Sequence, residues 1–172
     1  MRLSQGEKLI LMALAAAKDG KDELDLDFIR RAIYSGNTWA LTWEFSGIPA
    51  EDTEPGIADE TAEIMSMWSY IERSVGELPV AEREQLEKDA YPHSLSFSGF
   101  DGNHDPHYSV ASFLVKDMGR FEEFKERSLN SHTQSSLPTY RRMLSAYKAE
   151  LRNLGFTSRS LPADKILGIV KP

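Results

Sequence analysis

The sequence predicts an all-α protein, a single-domain multi-helix bundle of about seven helices over residues 1–172, on three observations. Apolar residues recur at spacings of three and four along most of the chain. Glycine, proline and capping residues punctuate these segments at helical lengths. No apolar–polar alternation of the kind a half-buried strand needs persists. At 172 residues, 41% hydrophobic and 27% charged, the chain is long enough for one ordinary core and too short for two comfortable ones.

The first helix is expected from about Ser4 to Lys18, with Leu9, Ile10, Ala13, Leu14 and Ala17 at helical spacing and Gly20 as its stop. Its sequence looks superficially like an export leader. Glu7 and Lys8 interrupt the apolar run, however, and Ser4 with Glu7 forms an S-x-x-E capping box. No apolar run reaches the roughly 18 residues a spanning helix needs. The expectation is a cytoplasmic protein with no membrane role.

A second helix is expected from Asp25 or Asp27 to Ser35, opened by acid that suits the helix dipole and closed by Gly36. In "NTWALTWEF", Thr, Trp and Phe favour strand while Ala40, Leu41 and Glu44 favour helix. A lone strand has no partner in such a chain, so the segment reads as a short helix or extended connector. It delivers Trp39 and Trp43 to the core or to a subunit interface, where aromatic residues concentrate. "SGIPAEDTEPG" then reads as a loop.

The clearest amphipathic helix is "DETAEIMSMWSYIERSVGEL", with Ile64, Trp68, Ile71 and Val75 on one stripe. Met65 and Met67 widen that stripe as gap-filling core. "PVAEREQLEKDA" is polar enough for a surface helix with proline near its first turn. "PHYSVASFLVKDMGRFEEFKER" carries apolar residues from Val110 to Phe124 around more than half a helical circumference, which places it mid-bundle. "SLNSHTQSSL" is a polar linker. Pro138 opens a helix bearing Tyr140, Met143, Leu144, Tyr147, Leu151 and Leu154, ended by Gly155. A short closing helix carries Leu161, Ile166 and Ile169.

The absence of cysteine excludes disulfides, thiolate nucleophiles and cysteine-based metal sites. The net charge of −7 disfavours nucleic acid as a partner, because phosphate neutralisation dominates such affinity. The charge is also split. Residues 1–119 hold 10 Lys+Arg against 22 Asp+Glu, or −12, whereas 120–172 hold 10 against 5, or +5. An acidic front and a basic tail attract each other, within a chain or between subunits.

The stretch with most chemical promise is "SFSGFDGNHDPHYSV", which gathers Asp101, His104, Asp105 and His107. Imidazole and carboxylate suit zinc, manganese or iron, and a metal-dependent hydrolase using these four residues is the alternative to a binding protein. The His104–Asp105 doublet is similar to that of metal phosphohydrolases of the HD type, with His93 as an extra ligand. There, however, the doublet lies inside a helix, and here Pro106 follows directly. Asp105–Pro106 reads better as a helix start, with Asp capping and proline at the first position. Gly99, Asp101, Gly102 and Asn103 are turn residues, and His104 and His107 are then expected in solvent. The favoured reading is a turn and cap with no metal and no cofactor. No nucleophile elbow, Walker loop, G-x-G-x-x-G or H-E-x-x-H motif occurs.

In combination these stretches resemble the YfbU family, small bacterial proteins without an established biochemical function. "DETAEIMSMWSYI" is similar to that family's central helix. "FSGFDGNHDPHYSVASFLVKDMGRFEEF" follows its G-F-D, Y and G-R-[FY]-x-x-F pattern, "TYRRMLSAY" its Y-x-R-M-L-x-x-aromatic pattern, and "LPADKILGIV" its closing helix. The pattern singles out Gly99, Phe100, Asp101, Tyr108, Gly119, Arg120, Phe121, Phe124, Tyr140, Arg142, Met143 and Leu144. His104 and His107 are not in it. The resemblance implies an all-helical fold, self-association and no assigned activity, and the helix-turn-helix segment fused to some members has no obvious room here.

Arg120 and Arg142 each stand among apolar pattern positions, so each is expected partly buried and paired with a carboxylate, Asp101 being one choice. Such a pair either fixes the turn against the bundle or receives a small anionic ligand. The sequence thus predicts a homo-oligomeric binding or regulatory module without catalysis, joined to itself or to a protein partner, with Trp39 and Trp43 at the subunit contact.

Overall fold

The computed structural model describes residues 3, 7, 11, 14, 25–44, 56–132, 136–154 and 160–171. The expected first helix and the loop before Gly56 lie almost wholly outside these residues. Seven α-helices are present among them: α1 (Leu26–Tyr34), α2 (Trp39–Glu44), α3 (Ile57–Glu77), α4 (Val80–Ala90), α5 (Pro106–Lys116), α6 (Leu137–Leu154) and α7 (Ala163–Val170), with one 3-10 turn at Glu122–Phe124. No strand occurs among them, only an isolated parallel bridge between Phe100 and Asn130. The all-α expectation is met. None of these helices is long and apolar enough to cross a membrane.

α3 is the axis of the bundle and packs against α5, α6 and α7. Its Ile64, Met65, Met67, Trp68 and Ile71 are fully or almost fully buried, so the methionines are core, as their spacing predicts. Two hydroxyls share this buried face without cost, because each donates to a carbonyl one turn back: Thr61 to Ile57 and Ser74 to Tyr70, both at 2.7 Å. Ser74 Oγ also accepts from the Leu161 amide at 3.0 Å. A single side chain therefore satisfies its own helix and anchors the approach to α7.

α1 begins where acid meets apolar periodicity, with Asp25 Oδ1 accepting from the Phe28 amide at 2.8 Å as an N-cap. The ambiguous tryptophan segment folds as α2. Tertiary packing decides it: Trp39 meets Trp43 edge-on at 5.1 Å and Phe113 at 5.9 Å. Phe28, Ile29, Ala32, Ile33, Ala40 and Leu41 form a second apolar cluster around Phe113.

One expectation is corrected here. The helix opened by Pro106 stops at Lys116 rather than running through Phe124. Gly119 and Phe121 adopt left-handed φ values of 63° and 55°, and a right-handed helix cannot pass through such residues. Leu151, one of the apolar residues on the helix opened by Pro138, is 37% exposed.

Candidate functional site

The starts of three helices meet at one place. Glu60 lies in the first turn of α3, His107 is the second residue of α5, and Arg141 is the fifth residue of α6. Arg141 grips Glu60 with two parallel bonds, Nε to Oε1 at 2.7 Å and Nη2 to Oε2 at 2.8 Å. His107 Nε2 lies 2.8 Å from the same Oε2. A carboxylate only accepts, so Nε2 carries the proton. His107 is 2% exposed, and its Nδ1 is buried without a hydrogen-bond partner among the described residues. The Arg141 guanidinium, with help from His107, holds the Glu60 carboxyl down at about 2. Glu60 is thus an anion across the physiological range, and its oxygens are committed to neighbours.

The turn leading to His107 is fastened at almost every residue. The Phe97 amide donates to Glu72 Oε1 at 2.6 Å. Arg127 bridges the other Glu72 oxygen at 2.6 Å to the Phe97 carbonyl at 2.7 Å. The Gly99 carbonyl accepts from Tyr140 at 3.1 Å and from Ser136 at 3.0 Å. Phe100 exchanges backbone bonds of 2.9 Å with Leu129 and Ser131, and the Gly102 amide donates to Asn130 Oδ1 at 3.0 Å. Gly99 must be glycine: its φ is 85°, and a Cβ there would stand 2.2 Å from the Leu129 carbonyl oxygen. Phe100, fully buried, packs against Phe97, Tyr140 and the His107 ring at 5.4–5.7 Å.

The four residues of the metal reading divide. Asp101 closes the turn as predicted, its Oδ1 accepting from the Asn103 amide at 2.9 Å. Its other oxygen lies 2.7 Å from His104 Nδ1. Those bonds lower the Asp101 pKa, the amide more than the imidazole, and the Asp101 carboxylate raises that of His104. His104 is open to solvent, but His107 is buried and turns to Glu60, which corrects the expectation of two solvated histidines. Asp105 stands at the cap position before Pro106 but makes no side-chain cap bond; its Oδ2 instead accepts from the Asp101 amide at 3.2 Å. No group of three or more His, Asp or Glu placed to hold a metal occurs among the described residues, so the convergence on which the hydrolase alternative depended is not formed.

Arg120 and Arg142 also differ from expectation. Both are exposed. Arg120 lies over the Trp43 ring at 5.2 Å, and Arg142 donates to Thr139 at 3.1 Å. Neither pairs with Asp101 among the described residues. The arginines that pair with carboxylates at this site are Arg127 and Arg141, which sequence reading missed together with Glu60 and Glu72. Little could have found them, since partners separated by 55 and 81 positions leave no local pattern. Trp39 and Trp43 are half-buried against the core.

These features define a class: an all-helical bundle protein whose main polar cluster ties helix starts together. The chain belongs to the YfbU family, whose domain model matches residues 1–167. No curated protein matches the chain.

Proposed function

We propose that this YfbU-family protein is a cytoplasmic, homo-oligomeric binding or regulatory module that performs no catalysis. The observation that carries the reading is the Glu60 carboxylate, saturated by Arg141 and His107 across three helix starts. A general acid or base needs a group free to exchange a proton near neutral pH. Glu60 is held ionised by two hydrogen bonds donated by Arg141, and His107 is shut away from solvent beside it. Such a cluster fixes shape. Support for self-association comes from the charge split between residues 1–119 and 120–172 and from the half-buried Trp39–Trp43 pair with Arg120 over it.

Light scattering coupled to size-exclusion chromatography, with metal analysis by mass spectrometry on the same peak, tests this. The expected result is an oligomer without stoichiometric transition metal. A monomer at every concentration would overturn the oligomeric part. Stoichiometric metal in an active hydrolase would overturn the rest.

A further inference from the structure

The acidic front and basic tail partly neutralise each other inside the chain. Glu60 pairs with Arg141, Glu63 with Lys148 and Glu72 with Arg127, so the acids of α3 take up three of the tail's ten positive charges. Two exposed helical faces carry charge that is left unmatched among the described residues. On α4, Val80, Glu84, Glu87 and the following Tyr91 are spaced four, three and four apart, which places them on one stripe. Val80 is 62% and Tyr91 80% exposed. Glu84 and Glu87 make no hydrogen bond or ion pair among the described residues, and with Lys88 and Tyr91 they line an open groove. On α6, Arg142 is bonded only to Thr139, and Arg152, in the last turn, makes no such contact among the described residues.

We propose that the Val80–Glu84–Glu87–Tyr91 stripe docks against the Arg142–Arg152 face of α6 in a second copy of this chain. The inference rests on the homo-oligomer reading and adds to it a charged contact on helices other than the one that bears Trp39 and Trp43. Arg142 and Arg152 are about 15 Å apart along the helix axis and about 80° apart around it, a spread that long arginine side chains can span, and Val80 and Tyr91 are about 16 Å apart and nearly in line, so the two sets match in length. Arginines at both ends reach inward to the two carboxylates, and one end places a guanidinium over the Tyr91 ring, an arrangement that favours arginine over lysine. In a two-fold dimer each copy gives one face and receives the other, so the contact forms twice.

The test is charge reversal on both sides, read by analytical ultracentrifugation of the full chain over a wide concentration range. Glu84→Arg with Glu87→Arg, or Arg142→Glu with Arg152→Glu, is expected to weaken association about tenfold or more. Combining all four substitutions is expected to restore it. Far-ultraviolet circular dichroism spectra of each variant should match the parent's, since the residues are exposed. An oligomeric parent whose association neither reversal weakens, or a combined variant no stronger than the singles, overturns this interface and leaves the oligomer standing. A parent that is monomeric throughout overturns both.

Discussion

The turn from Phe97 to His107 and helix α4 are close neighbours in the chain and opposite in design. Both are rich in polar groups. In the turn, amides, carbonyls and carboxylates are spent on contacts within the chain, to Glu72, Arg127, Asn130, Ser136 and Tyr140. On α4, only Leu86 and Ala90 are buried, and Glu84 and Glu87 stand without partners among the described residues. A polar group with a buried partner holds shape, because losing that partner leaves an unsatisfied donor or acceptor. One that faces solvent breaks no bond within the chain when it meets a new partner, and is available for contact with another molecule once its desolvation is offset.

Substitutions that probe the turn should break this contrast most. Phe100→Ala removes a fully buried ring from the junction of Phe97, Tyr140 and His107, and is expected to cost about 3–5 kcal/mol in urea denaturation. Parent-like stability would mean the turn is not part of the core.

A smaller loss is expected from Glu60→Ala, about 1–3 kcal/mol, because the buried His107 N–H loses its acceptor. Glu60→Gln isolates the charge and carries a pH signature. The Glu60 pKa is lowered from 4.5 to about 2 in the fold, so its contribution is fully present above about 4.5 and is lost as pH falls toward 2. The parent's advantage over Glu60→Gln should therefore be flat at neutral pH and close within that acid window. An advantage unchanged down to pH 2 would show that the Arg141 clamp is not electrostatic.

The smallest effect sharpens the comparison from within the turn. His104 is exposed, so His104→Ala should move the melting temperature less than either Glu60 variant. The sign is nonetheless fixed: Asp101 raises the His104 pKa, so any contribution is present below the unfolded value and fades as pH rises through the folded one. A loss as large as that of Glu60→Ala would make the Asp101–His104 pair part of the scaffold.

What could be read from the sequence was local. Asp25, Gly36 and Pro106 marked helix ends through their own backbone preferences, and Ile64, Trp68 and Ile71 marked the buried face of α3 through spacing alone. The tryptophan segment was harder, since propensity was divided and Phe113, far along the chain, settled it. The polar site was least legible. Asp101 could be seen closing its turn because Asn103 is two residues away. His107 looked like a surface residue because its partner Glu60 is 47 positions distant. Arg120 and Arg142 drew attention by standing among apolar positions, yet a helix edge can carry a cation outward while its neighbours turn in.

The fastening of Gly99 to Tyr140, 41 positions away, and of Phe100 to Leu129 and Ser131 also has a consequence in time. Closing such loops costs chain entropy before any bond rewards it, so this strip is expected to form after α3 and α6 have come together. Amide hydrogens at Phe100 and Ser131 should then exchange with solvent only when the whole bundle opens. In hydrogen-exchange terms, two short backbone bonds in an apparently irregular turn become reporters of the stability of the entire fold.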